Sequence, residues 1–191
     1  MPNKLFLMLL LVALSFPLWA DNVELSQLAA EDQAVRTGSN DPQSDDARRE
    51  HVLKIIATGG AVTAQDKFNA ALVLQHTGLT FCDGQLKSLS AENYLLAHFL
   101  FKEAMDGGIK DATYLAAASI DRYLSFSKGY QRYGTNRVID QATGREMLVP
   151  IDRSVTDEDR ALYGIPPLHE LLKQHPEQRE VPAVEKQQAG G

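Results

Sequence analysis

Cysteine is nearly absent from this chain of 191 residues, with Cys82 the single example. One thiol cannot close an internal disulfide, so the fold depends on a hydrophobic core, for which a 44% hydrophobic composition suffices at this length. With Phe81 beside it and no activating cluster near it, that thiol reads as a buried group behaving as a small apolar side chain. Basic charge is also in short supply: 19 Lys and Arg stand against 25 Asp and Glu, a net charge of −6. Nucleic acid and anionic membrane surfaces both require a basic field, which argues against either as the main partner. Glycine (13) and proline (8) are too sparse for a collagenous or low-complexity chain. The five histidines, at 51, 76, 98, 169 and 175, include no His-Glu-x-x-His or comparable pairing, and there is no Gly-x-Ser-x-Gly turn for a serine nucleophile. No metal and no cofactor is expected.

A long apolar run occurs once, at the start. Lys4 gives a short basic opening, Leu5 to Leu14 is unbroken and apolar, Pro17 interrupts it, and Ala20 is the small residue that cleavage requires. This is the layout of a secretory signal peptide over residues 1–20. The alternative is an uncleaved anchor, but the sixteen residues from Leu5 to Ala20 fall short of the roughly 20 that cross a bilayer. The residue directly after Ala20 is Asp21 and not a cysteine, which excludes lipidation there. The expected mature protein is Asp21 to Gly191, 171 residues with 18 basic and 25 acidic side chains and a net charge of −7. It is placed in the periplasm or outside the cell, free of the membrane once the signal is removed.

The mature chain reads as a mainly α single domain over 21–175 with a small β-hairpin near 137–149, followed by a tail at 176–191 too poor in apolar residues to fold. Val23 to Arg36 carries apolar residues at 25, 28, 29 and 35 among acids, the pattern of an amphipathic first helix. Acids at 45 and 46 suit the opening of a second helix at Ala47 to Thr58, which Gly59-Gly60 stops. Thr63 can cap a third helix that runs through His76, and Ser90 starts a fourth that ends at Gly107-Gly108. Ala112 to Phe126 is the fifth and the most apolar. Short helices are expected at Thr156 to Leu162 and Leu168 to Lys173. Ala97, Ala104, Gly108, Ala112 and Ala116 place small residues at offsets 0, 7, 11, 15 and 19 around the Gly-Gly turn, so that two antiparallel helices can approach closely. This rhythm, over Tyr94 to Tyr123, resembles tetratricopeptide-like repeats of the Sel-one-like variety, and the resemblance implies helix-hairpin packing and a protein-binding role.

The informative residues are polar ones set in apolar helices. Asp121 and Arg122 are the charged residues of the fifth helix, and Asp121 shares a face with Tyr114, Ala117, Ala118, Leu124 and Ser125. A carboxylate on a packed face needs a partner, because an unpaired buried charge costs several kcal/mol, on the order of 3 to 5. Gln75-His76 ends the apolar run of the third helix in the same manner. A loop at 129–135, GYQRYGT, adds hydrogen-bonding side chains between glycines. The series AALVLQH (70–76), IDR (120–122), QRYGTN (131–136) and VPID (149–152) resembles an uncharacterised bacterial family, domain of unknown function 6624, across roughly Leu25 to Leu172. The chain departs from that pattern at Asn136, where the family has Gln, and at Val35-Arg36, where it has Asp-Arg. The resemblance implies that these residues belong together and implies no reaction.

Three readings of the cluster stay open. As a binding or interaction module, the chain would use Gln75, His76, Asp121, Arg122, Gln131, Tyr133 and Thr135 as the polar floor of a pocket for a small ligand or a protein, with Tyr130 and Tyr133 as walls. As a small hydrolase, His76 would be the general acid or base, Asp121 its orienting carboxylate, and Arg122 or Gln131 would stabilise developing negative charge. As a structural network, the same residues would pin the hairpin onto the helices. Binding is the expected role, and enzymatic activity the alternative.

Overall fold

The first three helices open where a side chain takes up their free N–H groups. In the computed structural model, which describes residues 20–40, 43–82, 85–139 and 143–176, α1 (Val23–Arg36) begins at Asn22, whose Oδ1 accepts from the N–H of Glu24 and Leu25. Ser44 caps α2 (Asp45–Ala57), and Thr63 caps α3 (Ala64–Leu74) in a reciprocal box with Asp66. Asp66 is buried and does more than cap, since it also accepts from the N–H of Asn22 at 2.6 Å and so ties the start of α1 to the start of α3. The signal peptide expected over 1–20 lies, up to residue 19, outside the described residues, as does the tail from residue 177. Among the described residues no helix is long and apolar enough to cross a membrane.

Helices α4 (Glu92–Asp106) and α5 (Ala112–Lys128) form the expected antiparallel hairpin about Gly107-Gly108, and α4 packs between α3 and α5. Ala97, Ala104, Ala112 and Ala116 are all fully buried, so the small residues do line a close helix-helix seam. Phe101 fills the α3 side, edge-on to Phe68 with ring centroids 5.7 Å apart. Gly107 is needed for space: a Cβ there would stand 2.5 Å from the Ala64 Cβ at the start of α3. The expected hairpin is present as β3 (Arg137–Ile139) paired antiparallel with β4 (Glu146–Leu148). After it, α6 (Asp157–Ala161) and α7 (Leu168–Gln174) complete the core with Val155, Tyr163, Ile165 and Leu171.

Three features differ from the sequence reading. Helix α3 stops at Leu74, so Gln75 is its C-cap and His76 stands in the loop beyond. A second antiparallel hairpin, β1 (Leu79–Cys82) with β2 (Gln85–Ser88), follows that loop. Cys82 is exposed on it, contrary to the expected buried thiol, because a two-stranded hairpin has no second layer to cover both faces.

Gly107→Ala is expected to cost about 1–3 kcal/mol, read as a lower urea midpoint, since the new methyl has backbone and an alanine against it and not the end of a flexible side chain. His98 supplies a pH dependence. Its Nδ1 donates to the Ala116 carbonyl across the α4–α5 seam at 2.8 Å, and burial holds its imidazole below the ordinary range, the hydrogen bond opposing. With the folded value depressed, the unfolded chain takes up the proton first as pH falls, so this contribution is complete above about pH 6.5 and is lost below it. The urea midpoint of the parent should fall between about pH 6.5 and 5 more steeply than that of His98→Gln; equal slopes would rule this out.

Candidate functional site

Asp121 and Arg122 are neighbours on α5, and consecutive helical side chains leave the axis about 100° apart. They serve different structures. Asp121 is fully buried, and the loop after α5 folds around its carboxylate. Oδ1 accepts from the N–H of Arg132 at 2.7 Å and of Tyr133 at 3.0 Å; Oδ2 accepts from the N–H of Gly134 and Thr135, each at 3.0 Å, and from Thr135 Oγ1 at 2.8 Å. Burial pushes the carboxyl up from its usual value, against these donors. The wrap requires Gly134, whose φ of +93° lies in the left-handed region and whose missing Cβ would come within 3.2–3.3 Å of Leu171 and Ile151.

Gln131 fixes the same loop to the segment that follows β4. Its Nε2 donates to the carbonyls of Asn136 and Val149, and its Oε1 accepts from the Asn136 N–H at 2.7 Å. Tyr133 packs on Tyr163, 4.9 Å between ring centroids, and burial pushes its phenol up to about 12. Its carbonyl accepts from the buried Arg160. Asp121, Gln131, Tyr133 and Thr135 therefore form an internal lock, and none of them lines the cavity described next. The expected role of Asp121 as partner of His76 does not hold, because among the described residues its carboxylate accepts from the 132–135 loop alone.

The carboxylate that meets His76 is Asp32 of α1. Its Oδ2 lies 2.6 Å from His76 Nδ1, and it is itself buried, accepting from Gln33 Nε2 and from Arg36 Nη2. Arg48, buried on the apolar stripe of α2, lies 4.0 Å from Asp32 and also donates to Asp45. Arg36 bridges Asp32 and Asp45, at 3.1 and 2.5 Å. The hydrogen bond to Asp45 raises the Arg36 guanidinium above its usual value, burial opposing; burial works against Asp45 too, but its bonds to Arg36 and Arg48 hold that carboxyl below its usual range. The backbone of His76 is captured as well: Arg49 of α2 donates to its carbonyl at 2.7 Å, and Arg122 of α5 donates to the Gln75 carbonyl at 3.3 Å and to Gln75 Oε1 at 3.2 Å. These two arginines satisfy carbonyls at the end of α3 that another helical turn would otherwise have satisfied. That is why α3 ends early and why His76 reaches the surface, with 22% of its side chain exposed.

His76 opens onto a cavity of about 850 Å³. Gln75, His76 and Arg122 line it as the sequence suggested, joined by Arg36, Asp45 and Arg137. Its aromatic wall is Tyr94 with Phe126, stacked at 5.8 Å, and not Tyr130 and Tyr133. Its lips are Leu79 of β1 and Val138 and Ile139 of β3, all substantially exposed. Among the described residues no three His, Cys, Asp or Glu side chains gather to hold a metal ion. Asp32, Arg36, Asp45 and Arg49 are the site residues that the sequence reading missed. Their signals were Asp32 and Arg36 four apart on one helix face, and arginines at 48 and 49 in line with Val52 and Ile55. Comparison with protein-family models, curated proteins and solved structures yields no match.

Replacing Asp121 by Asn sets an amide N–H₂ against backbone donors that need an acceptor. The variant is expected to lose about 2–4 kcal/mol in urea denaturation, and unchanged stability would show that the lock carries no load.

Proposed function

We propose that this chain is an exported binding module whose cavity takes a small organic anion with an apolar body. Arg122 carries the reading. It faces the open cavity, its hydrogen bonds among the described residues go only to the neutral oxygens of Gln75, and it has no carboxylate partner there. Arg137 at the rim is likewise without one; the third lining guanidinium, Arg36, is taken up by Asp32 and Asp45, so among the described residues two guanidiniums face the cavity without a carboxylate partner. A locally positive floor in a protein of net charge −6 favours a carboxylate or phosphate group there. The lips and the Tyr94–Phe126 wall favour an apolar remainder. The volume falls in the range of small-molecule sites, roughly 300–1,000 Å³, and supports a small ligand over a protein segment.

The export part of the reading rests on the N-terminal layout of basic residue, apolar run and small residue. The motifs on which the family resemblance rests are in contact with one another: Arg122 bonds Gln75, and Asp121 bonds the 132–135 loop.

Calorimetric titration with phenylacetate and benzylphosphonate, set against the neutral phenylacetamide, tests the binding role. Both anions should bind and the amide should not. Arg122→Gln should weaken the anions by about tenfold or more, the loss of one charge-assisted hydrogen bond, while stability in urea falls by no more than about 1–2 kcal/mol, because Arg122 is half-buried and its bonds within the fold go to the neutral oxygens of Gln75. Equal binding of acid and amide would remove the argument.

A further inference from the structure

His76 is more than a polar wall. Its Nδ1 is occupied by Asp32 at 2.6 Å, so Nε2 is the ring nitrogen left for a ligand, and nothing among the described residues bonds it. Asp32 is held in turn by Gln33 and Arg36, which fixes the ring as an acid or base requires. Arg122 bonds Gln75, the residue before His76, and its guanidinium and the imidazole line the same cavity, which an anion seated on Arg122 would share with the ring. A carboxylate in that position offers no bond to hydrolyse. A phosphate ester does.

We propose that the cavity hydrolyses phosphate monoesters of apolar alcohols, a reading that rests on the anion-binding role above. His76 is the general acid, Asp32 is a positioning residue that balances the charge on the ring, and Arg122 and Arg137 neutralise the transferring phosphoryl group. Nε2–H gives its proton to the bridging oxygen as the bond from phosphorus to that oxygen breaks. A water oxygen forms the new bond to phosphorus from the opposite side, and a proton from that water returns to the imidazole through solvent. Ester and water become alcohol and inorganic phosphate. The alcohol lies along Phe126, Leu79 and Val138.

The test measures phosphate release from phenyl phosphate together with calorimetric binding of the non-hydrolysable benzylphosphonate. The parent should do both. His76→Gln should slow release by about 100-fold or more and still bind the phosphonate within a few-fold, because the side chain is partly exposed and the arginines are untouched. Asp32→Asn should lower kcat with little change in KM and should alter the pH profile of kcat, which a purely structural role would not do. A parent that binds the phosphonate but releases no phosphate overturns the hydrolysis and leaves the binding role standing. A parent that does neither overturns both, and release unaffected by His76→Gln overturns the assignment of the acid.

Discussion

The constraint on which the rest depends is the burial of the Asp121 carboxylate in the middle of the most apolar helix. A carboxylate with no exposure must be surrounded by donors, and α5 has none to give because its own N–H groups are spent on the helix. The loop that leaves α5 supplies them from four successive backbone amides and one hydroxyl. Once that loop is fixed, Gln131 carries the order on to Asn136, Val149 and Pro150, and β3 is brought to the edge of the cavity. Arg122, one residue further along the helix, is turned from the lock toward the cavity floor. A structural charge and a functional one are thus produced by adjacent positions.

A second buried carboxylate, Asp32, does the corresponding work on the other side. It holds Arg36 and approaches Arg48, whose burial on the core face of α2 would be costly alone. The same carboxylate orients His76. Placing one group at the junction of a structural ion cluster and an exposed imidazole makes the site rigid before any ligand arrives. Arg49 and Arg122 complete that preparation by holding the carbonyls of residues 76 and 75. The cavity is therefore built from the ends of helices, and its polar floor is set by contacts among α1, α2, α3 and α5.

Much of this was legible in the order of residues. The helical periods and caps located the seven helices of the described residues, and two β-prone runs, RVID and EMLV, split by the turn-forming QATG, located the β3–β4 hairpin, because such signals are local. The β1–β2 hairpin leaves a shorter trace in the sequence, Asp83-Gly84 between two four-residue runs, a common sequence for a two-residue turn. The polar residues at 75, 76, 121, 122 and 131–135 stand out in the sequence because hydrogen-bonding groups among apolar ones must have partners.

Sequence alone determined which helices form, that the α4–α5 seam is close, and which polar groups had to be satisfied from inside the fold. Only the tertiary structure decided who satisfies whom. Asp121 turns to the 132–135 amides and Asp32, 44 residues before His76, takes the place expected for it. The reason is physical: an apolar neighbourhood shows that a charge needs a partner, but partnership is a matter of distance, and residues on α1, α2 and α5 come within hydrogen-bonding reach only when the core between them has packed.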